Sequence, residues 1–466
     1  MTQTIDIEGF RAQLSGIALT RGDIGYDEAR AAWNGAIDRH PSVIARCADA
    51  ADVAAAIGFA RSGGLELSVR GGFHSSAGNA ICDDGVMIDL SLLRRVDVDP
   101  VARRARVGGG ATLGDVDAAT QAHGLAVPAG IVSHTGVGGL ALGGGLGWLT
   151  PLHGLTADNL VSAKVVTADG RTLRAAADEH PDLYWALRGG GGNFGVVTEF
   201  EFRLHQVGPM VHVGLLFWSP DQVAEVLRLG REVFATLPAA ANAMVLNVNA
   251  PPAPFVPEQY HFMPIYALAV IGFGSAEEHA AVLAPIRDAL PPLFEFVTPM
   301  PYTQLQQMFD EGAPWGVKCY EKALYFDALS DDAIAVITEH QARKTAPQSL
   351  LELYRLDGAY AAVGEDETAF GGSRSSRIGV FMVALTADLD ALPAGRAWVR
   401  SFWEALRPHA TGAGGYINAM AEVDDDRVRA SYGPAKYERL AQIKAKYDPD
   451  NVFHHNANIK PALQPI

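Results

Sequence analysis

Cysteine is scarce in this 466-residue chain, where Cys47, Cys82 and Cys319 are the whole complement. They stand far apart without a Cys-x-x-Cys spacing, so they support neither a disulfide framework nor a structural zinc site. Buried free thiols are the expected state. Long apolar runs are missing too. None reaches the ~20 residues that a membrane span requires, and the start, Met-Thr-Gln-Thr-Ile-Asp-Ile-Glu, has no basic stretch leading into an apolar one. The expectation is a soluble, unsecreted, cytoplasmic protein with no membrane partner. Basic residues are outnumbered, 37 Lys and Arg against 53 Asp and Glu, for a net charge of -16. Nucleic acid would repel such a surface and is excluded as a partner. No Gly-Lys-Ser/Thr occurs, so there is no Walker A loop.

Glycine, by contrast, is abundant at 49 residues, and it is concentrated in three runs. The first, Val69-Arg-Gly-Gly-Phe-His-Ser-Ser-Ala-Gly78, follows the alternating segment Leu65–Val69, which reads as a half-buried strand. Gly71 and Gly72 remove the Cβ atoms that would hold a ligand away, and exposed N–H groups in such a turn form a nest for a phosphate. The second run, Pro128 to Gly147, has glycine at seven of its last twelve positions, interleaved with Val and Leu rather than the Ser of a flexible linker. The third is Arg188-Gly-Gly-Gly-Gly-Asn-Phe-Gly195. Its Gly190-x-Gly192-x-x-Gly195 spacing matches a dinucleotide fingerprint in form only. A β-rich run, Val-Val-Thr-Glu-Phe-Glu-Phe, follows where a helix would have to receive the pyrophosphate, so a Rossmann fold is rejected. Three glycine turns together point to one extended cofactor held by backbone.

At 466 residues the chain is too long for one core, and two or three domains are expected. Asp49 is a predicted N-cap for a helix over Ala50–Arg61, and Thr112-Leu-Gly-Asp115 marks another helix start. Val86–Leu90 reads as a buried strand. From Pro209 the texture changes. Strands are expected at Val211–Trp218, Tyr266–Phe273, Ala323–Asp327, Leu350–Tyr354 and Ile378–Leu385. Helices near Pro220–Thr236, Ser275–Ala289, Ser330–Gln341 and Arg396–Leu406 lie between them, a mixture that suggests an antiparallel sheet covered on one face by helices. A helix over Pro434–Tyr447, with Tyr437, Leu440, Ile443 and Tyr447 inward, leads into the tail.

Four motifs in this order carry a resemblance: Arg70-Gly-Gly-Phe-His74; Gly136-Val-Gly-Gly-Leu-Ala-Leu-Gly-Gly-Gly145; Arg188-Gly-Gly-Gly-Gly-Asn-Phe-Gly195; and Tyr447-Asp-Pro-Asp-Asn-Val-Phe453 before Asn456-x-Asn458-Ile459. Together they resemble the berberine-bridge-enzyme-like branch of the vanillyl-alcohol-oxidase flavoproteins, from about Tyr26 to the C-terminus. Within it the chain is similar to bacterial FAD-linked oxidases of the 6-hydroxynicotine and carbohydrate oxidase kinds. The resemblance implies an α+β fold: a PCMH-type two-part FAD-binding domain, residues 1–207 and 426–466, with a substrate domain over 208–425 inserted between. It also implies that His74 bonds covalently to the 8α carbon of FAD, as a neutral imidazole nitrogen can. Phe73 stands where relatives often have a third glycine, so a stiffer loop is expected. The cysteine that some members add falls on Val132 here, so a single covalent link is implied. Thr135 falls where relatives use a small Val to admit oxygen, which favours an oxidase over a dehydrogenase.

Cofactor contacts are implied at Arg70, Gly71, Gly72, Phe73 and Ser75, at Ser133, His134, Thr135 and Gly138, and at Gly192, Gly195 and Val197. In the tail they fall on Asn456 and Asn458. The tyrosines used by plant members fall on Ser76 and Leu146, so a different proton acceptor is required. Candidates come from strand spacing: Glu352 with Tyr354, and Tyr320 with Lys322, each pair two apart and therefore on one face. Tyr416 with Asn418 forms the Tyr-x-Asn motif seen in relatives. A carboxylate buried near the flavin could act as base with a raised pKa. His134, His454 and His455 lack a third ligand at useful spacing and are read as loop histidines with no metal. The expected activity is an oxidase taking hydride from a small hydroxylated, sugar or amine substrate and reducing O2 to H2O2. A tailoring enzyme that forms a ring or double bond, a dehydrogenase with another acceptor, and a flavin-bearing binding protein stay open, as does the oligomeric state.

Overall fold

A computed structural model describes residues 6–412 and 414–463. Its first sheet has four strands, in the order Ile17–Leu19, Val43–Arg46, Val86–Asp89 and Leu67–Arg70. The last three are parallel, so crossovers join them, a helix from Arg46 to Leu67 and the first glycine loop from Arg70 to Val86. Ala50–Gly63 is that helix, and Asp49 starts it by accepting from the N–H groups of Ala51 and Asp52. A five-stranded antiparallel sheet follows, ordered Val96–Asp99, Arg104–Gly108, Val196–Arg203, Leu160–Val166 and Thr172–Ala176. Thr112 and Asp115 form the reciprocal capping box that opens the helix Leu113–Gln121.

The third sheet is antiparallel and seven-stranded. Its order is Phe294–Pro301, Met210–Trp218, Pro264–Gly272, Ala241–Asn249, Leu350–Arg355, Ile378–Thr386 and Lys318–Phe326. Two of these strands lie outside the sequence expectation. Ala241–Asn249 is rich in Ala and Asn, which are poor strand formers, and its placement at the sheet centre overrides that preference. Phe294–Pro301 carries two prolines, tolerated because it is an edge strand.

Helices Val223–Thr236, Ala276–Ala289, Asp331–Gln341 and Leu392–Leu406 pack on one face of this sheet. Trp218, Leu268, Tyr320, Leu324 and Met382 point that way, against Val226, Trp398 and Phe402. The opposite face, with Cys319, Ala323, Tyr354, Phe381 and Val383, packs on Leu146, Trp148 and Tyr416 from the rest of the chain. With both faces covered, a strand such as Ile378–Thr386 is buried at every position. Polarity then stops reporting which way a side chain points.

The final helix, Asp425–Tyr447, begins nine residues earlier than the predicted start at Pro434 and turns at Gly433, which has φ of 70°. Tyr437, Leu440, Ile443 and Tyr447 are buried as expected. Asp448 then explains the Asp-Pro-Asp-Asn motif. Its carboxylate accepts from the N–H groups of Val452 and Phe453 at 2.8 and 2.9 Å and from Lys444 Nζ at 2.6 Å. Lys444 is fully buried and also donates to the carbonyls of Asn193 and Phe453. Asn193, in the third glycine run, donates to Ala457 O and accepts from Ile459 N–H. The tail is therefore fastened beside the glycine turns. Cys47, Cys82 and Cys319 are buried and free.

Replacing Lys444 by Met should cost about 3–5 kcal/mol, because the Asp448 carboxylate would remain buried without its cation. Urea unfolding of the two proteins measures the difference, and a loss below 1 kcal/mol would mean that the pair acts like a solvent-exposed one.

Candidate active site

The three glycine runs, the tail and the helix-free face of the seven-stranded sheet line one cavity of about 610 Å³. The first run leaves the strand Leu67–Arg70 and meets the second at once. A Cβ added to Gly72 would lie 2.2 Å from Gly136 Cα, so both positions must be glycine for the turns to touch. Phe73 follows in the left-handed region with φ of 62°, which is rare for a bulky residue. Its ring is buried with Leu19, Ile44 and Met87 and lies 4.7 Å under the Arg70 guanidinium. Packing holds the strained backbone, and the next residue, His74, lines the cavity.

His74 is stacked on Trp33 with ring centroids 4.0 Å apart, and its Nε2 is 3.1 Å from His134 Nδ1. Burial, helped by the neighbouring imidazole, pushes its pKa down to about 3. The ring is neutral at any physiological pH.

Gly71, Gly72, Phe73, Ser75, Thr135, Gly138, Gly192, Gly195, Val197 and Asn456 all line the cavity. Side chains added at Gly139 or Gly192 would meet no protein atom within 4 Å and would enter open space. Asn456 donates to the carbonyls of Gly192 and Phe453, while its Oδ1 is buried without a partner. No Lys or Arg borders the cavity among the described residues, so a diphosphate there has to be met by main-chain N–H groups. The cradle fits a dinucleotide held by backbone. Val132, at the position of the second attachment cysteine, also lines it.

Other expected contacts stand back from the cavity. Arg70 donates to Ala29 O at 2.6 Å and lies 3.4 Å from buried Asp89. Ser133 binds Asp310 through N–H at 2.8 Å and Oγ at 2.5 Å. His134 stands behind His74. Asn458 borders a second hollow with Arg39 and Asp424.

The sheet wall carries the candidate acid–base groups. Tyr416 OH accepts from Gly145 N–H at 2.9 Å and from Asn418 Nδ2 at 3.0 Å, and burial raises its pKa to about 12. Glu352 accepts from Tyr354 OH at 3.3 Å. Burial, and then the charge of Glu321, raises the Glu352 pKa to about 7. Burial raises Glu321 to about 7 as well, with only the Ser76 hydroxyl acting the other way.

Tyr320 and Lys322 have to be corrected. Their side chains lie on the helix-covered face, where Tyr320 donates to Glu422 and Lys322 sits 3.7 Å from that carboxylate and 4.8 Å over Trp403. The residue between them, Glu321, faces the cavity instead. In a strand buried on both sides, only the alternation of bulk on the helix side (Tyr320, Leu324, Phe326) against Cys319 and Ala323 could have revealed this.

His454 and His455 converge on a third group that their sequence spacing lacks. Glu66 Oε2 lies 2.6 Å from His454 Nε2 and 3.3 Å from His455 Nε2. His454 Nδ1 is also 2.8 Å from the Asn451 carbonyl.

Two family models match the chain: an FAD binding domain over residues 41–176, and the berberine and berberine-like model over 415–460. The chain is 31% identical to (R)-6-hydroxynicotine oxidase of Paenarthrobacter nicotinovorans, across 96% of its own length and 97% of that protein. The solved 6-hydroxy-D-nicotine oxidase from Arthrobacter nicotinovorans is similar with a TM-score of 0.84 and 29% identity, covering 96% of this chain and 98% of that one. Glucooligosaccharide oxidase from Acremonium strictum, with its 6-S-cysteinyl, 8α-N1-histidyl FAD, gives 0.85 and 26%, covering 98% of this chain and all of that one.

Two glycine variants test the cradle in different ways. Gly72→Ala should destabilise the protein by about 1–3 kcal/mol or more, because the turns are forced apart. Gly139→Leu should leave the apoprotein folded yet lower its flavin content severalfold. Thermal unfolding and the ratio of flavin to protein absorbance read the two effects separately.

Proposed function

We infer the reaction from one premise: the chain belongs to the berberine-like FAD-linked oxidoreductases. It binds FAD and is an enzyme. We propose that it is an oxidase of a small molecule with O2 as acceptor. The observation that carries this reading is a single cavity with a bare-backbone cradle and a neutral histidine on one wall, and two enclosed carboxylates with a tyrosine on the other. The chemistry FAD supplies when bound is hydride acceptance from a substrate C–H bond, followed by electron transfer to O2 with H2O2 as product.

His74 would hold the cofactor covalently at its 8α carbon. His134 engages Nε2, which leaves Nδ1 as the nitrogen for that bond, and the neutral ring keeps a lone pair to offer. Val132 supplies no thiol, so the link is single. Glu352 takes the proton that the substrate heteroatom gives up as the C–H bond is oxidised. Tyr354 OH holds its carboxylate in place. Tyr416 accepts two hydrogen bonds and keeps its own proton, which lets it donate to the same heteroatom.

Acid precipitation should leave the yellow colour in the wild-type pellet, whereas His74→Ala should release it to the supernatant. Colour released from the wild type would refute the covalent link. Glu352 has to be ionised to act as a base, so kcat/KM should rise with pH through about 7 and level off above it. Glu352→Gln should lower kcat by about 10²–10⁴-fold. Mixing candidate substrates anaerobically and then admitting air tests the whole reading: bleaching followed by rapid recovery with H2O2 identifies an oxidase. Bleaching without recovery in air would point to a dehydrogenase.

A further inference from the structure

We propose that the cavity takes a substrate bearing a positively charged amine, with Glu321 as its anchor. This names the substrate class for the oxidase reading above and rests on it. A base needs one carboxylate, yet the sheet wall presents two. Glu352 and Glu321 flank the strand Ile378–Thr386, level with Phe381 and Val383, and both border the cavity. Neither forms a salt bridge, and neither Lys nor Arg lines the cavity among the described residues. Elsewhere Asp158 has Arg374 at 2.7 Å and Asp448 has Lys444 at 2.6 Å, while Asp117, buried without a cation, stands alone beside Gln306 rather than as one of two carboxylates lining a cavity. Two like charges enclosed without a counter-ion are costly, and a bound cation removes that cost.

The rest of the wall is mostly apolar and favours an apolar skeleton. Leu246, Val248, Phe309, Phe381, Val383 and Leu385 surround the glutamates. Asn249, Gln348 and Asn418 are the cavity's other polar side chains near this wall, too few to pair every hydroxyl of a sugar. An anion would meet only repulsion. An amine on an apolar ring skeleton satisfies both parts of the wall, and the aromatic faces add cation–π attraction. Glu321 lies on a different strand from Glu352, away from the Tyr354 contact that positions Glu352, so anchor and base can be separate groups.

Cation binding must therefore depend on ionisation of the two glutamates. The other titratable groups facing them stay neutral across the range that matters. The Cys319 thiol and the Tyr354 phenol are raised well above their ordinary values, Tyr416 is raised to about 12 and His74 is lowered to about 3. The test uses the holoenzyme and two probes, benzyltrimethylammonium, a permanent cation with no N–H to lose, and neutral benzyl alcohol. Calorimetric titration should show the cation binding at least about tenfold more tightly at about pH 8 than at about pH 5.5, with protons released, while benzyl alcohol shows no such change. Glu321→Gln should weaken the cation by about tenfold or more and leave benzyl alcohol within about twofold. Equal affinity for both probes, no dependence on pH, or unchanged cation binding in Glu321→Gln overturns the proposal. Should that variant not accumulate, the pH comparison on the wild type decides alone. Turnover of neutral alcohols to H2O2 without cation binding would sink the amine anchor and leave the oxidase standing. Cation binding with no bleaching by any amine or alcohol would do the reverse.

Discussion

Two turns of main chain, at Gly72 and Gly136, approach so closely that a single methyl group on either would collide with the other. That contact brings together elements more than sixty residues apart in the chain and forms the floor of the cavity. It also fixes the run that follows it. Phe73 is forced into a left-handed conformation that only its buried ring and the Arg70 guanidinium make tolerable. His74 then emerges against Trp33 and His134 with no freedom to turn back into the core. A backbone contact thus sets the orientation of a side chain two residues later, and the imidazole that lines the cavity is neutral because the fold desolvates most of it.

The seven-stranded sheet contributes a second constraint of a different kind. Helices cover one of its faces and the FAD half of the chain covers the other, so each strand has two interiors. Side chains of alternate residues serve entirely different purposes. Tyr320 and Lys322 join a network with Glu422 and Arg400 at the helix side, and Glu321 between them joins the cavity. One residue of register separates a structural ion-pair network from the acid–base wall.

Charge is distributed accordingly. Where the fold needs rigidity, buried charges are paired and saturated with hydrogen bonds, as Lys444 is by Asp448 and two carbonyls. Within the cavity Glu321 and Glu352 have no cation and titrate near neutrality. Such a pair weakens the apoprotein as pH rises through about 7, since the folded state then holds protons that the unfolded chain would already have lost. Stability is given up at the place where the proposed chemistry uses a group that can change its charge.

Much of this was legible from residues alone. Asp49 and the Thr112–Asp115 pair announced their helices through local capping chemistry, which acts over three or four residues. The three glycine runs announced a backbone cradle, and the ordered motifs announced FAD, because bare main chain has few other uses in such density. The strand Ala241–Asn249 was invisible, since its place at the sheet centre rather than its composition makes it a strand. Glu66 meeting His454 and His455 was invisible too, being a contact across 388 residues. So was the choice of Glu321 over Lys322. Local sequence determined where the helices capped at Asp49 and Thr112 begin, which turns lack side chains and which cofactor the chain binds. Only the tertiary structure decided which face of each strand looks into the cavity, because a strand buried on both sides carries no polarity pattern from which its direction could be read.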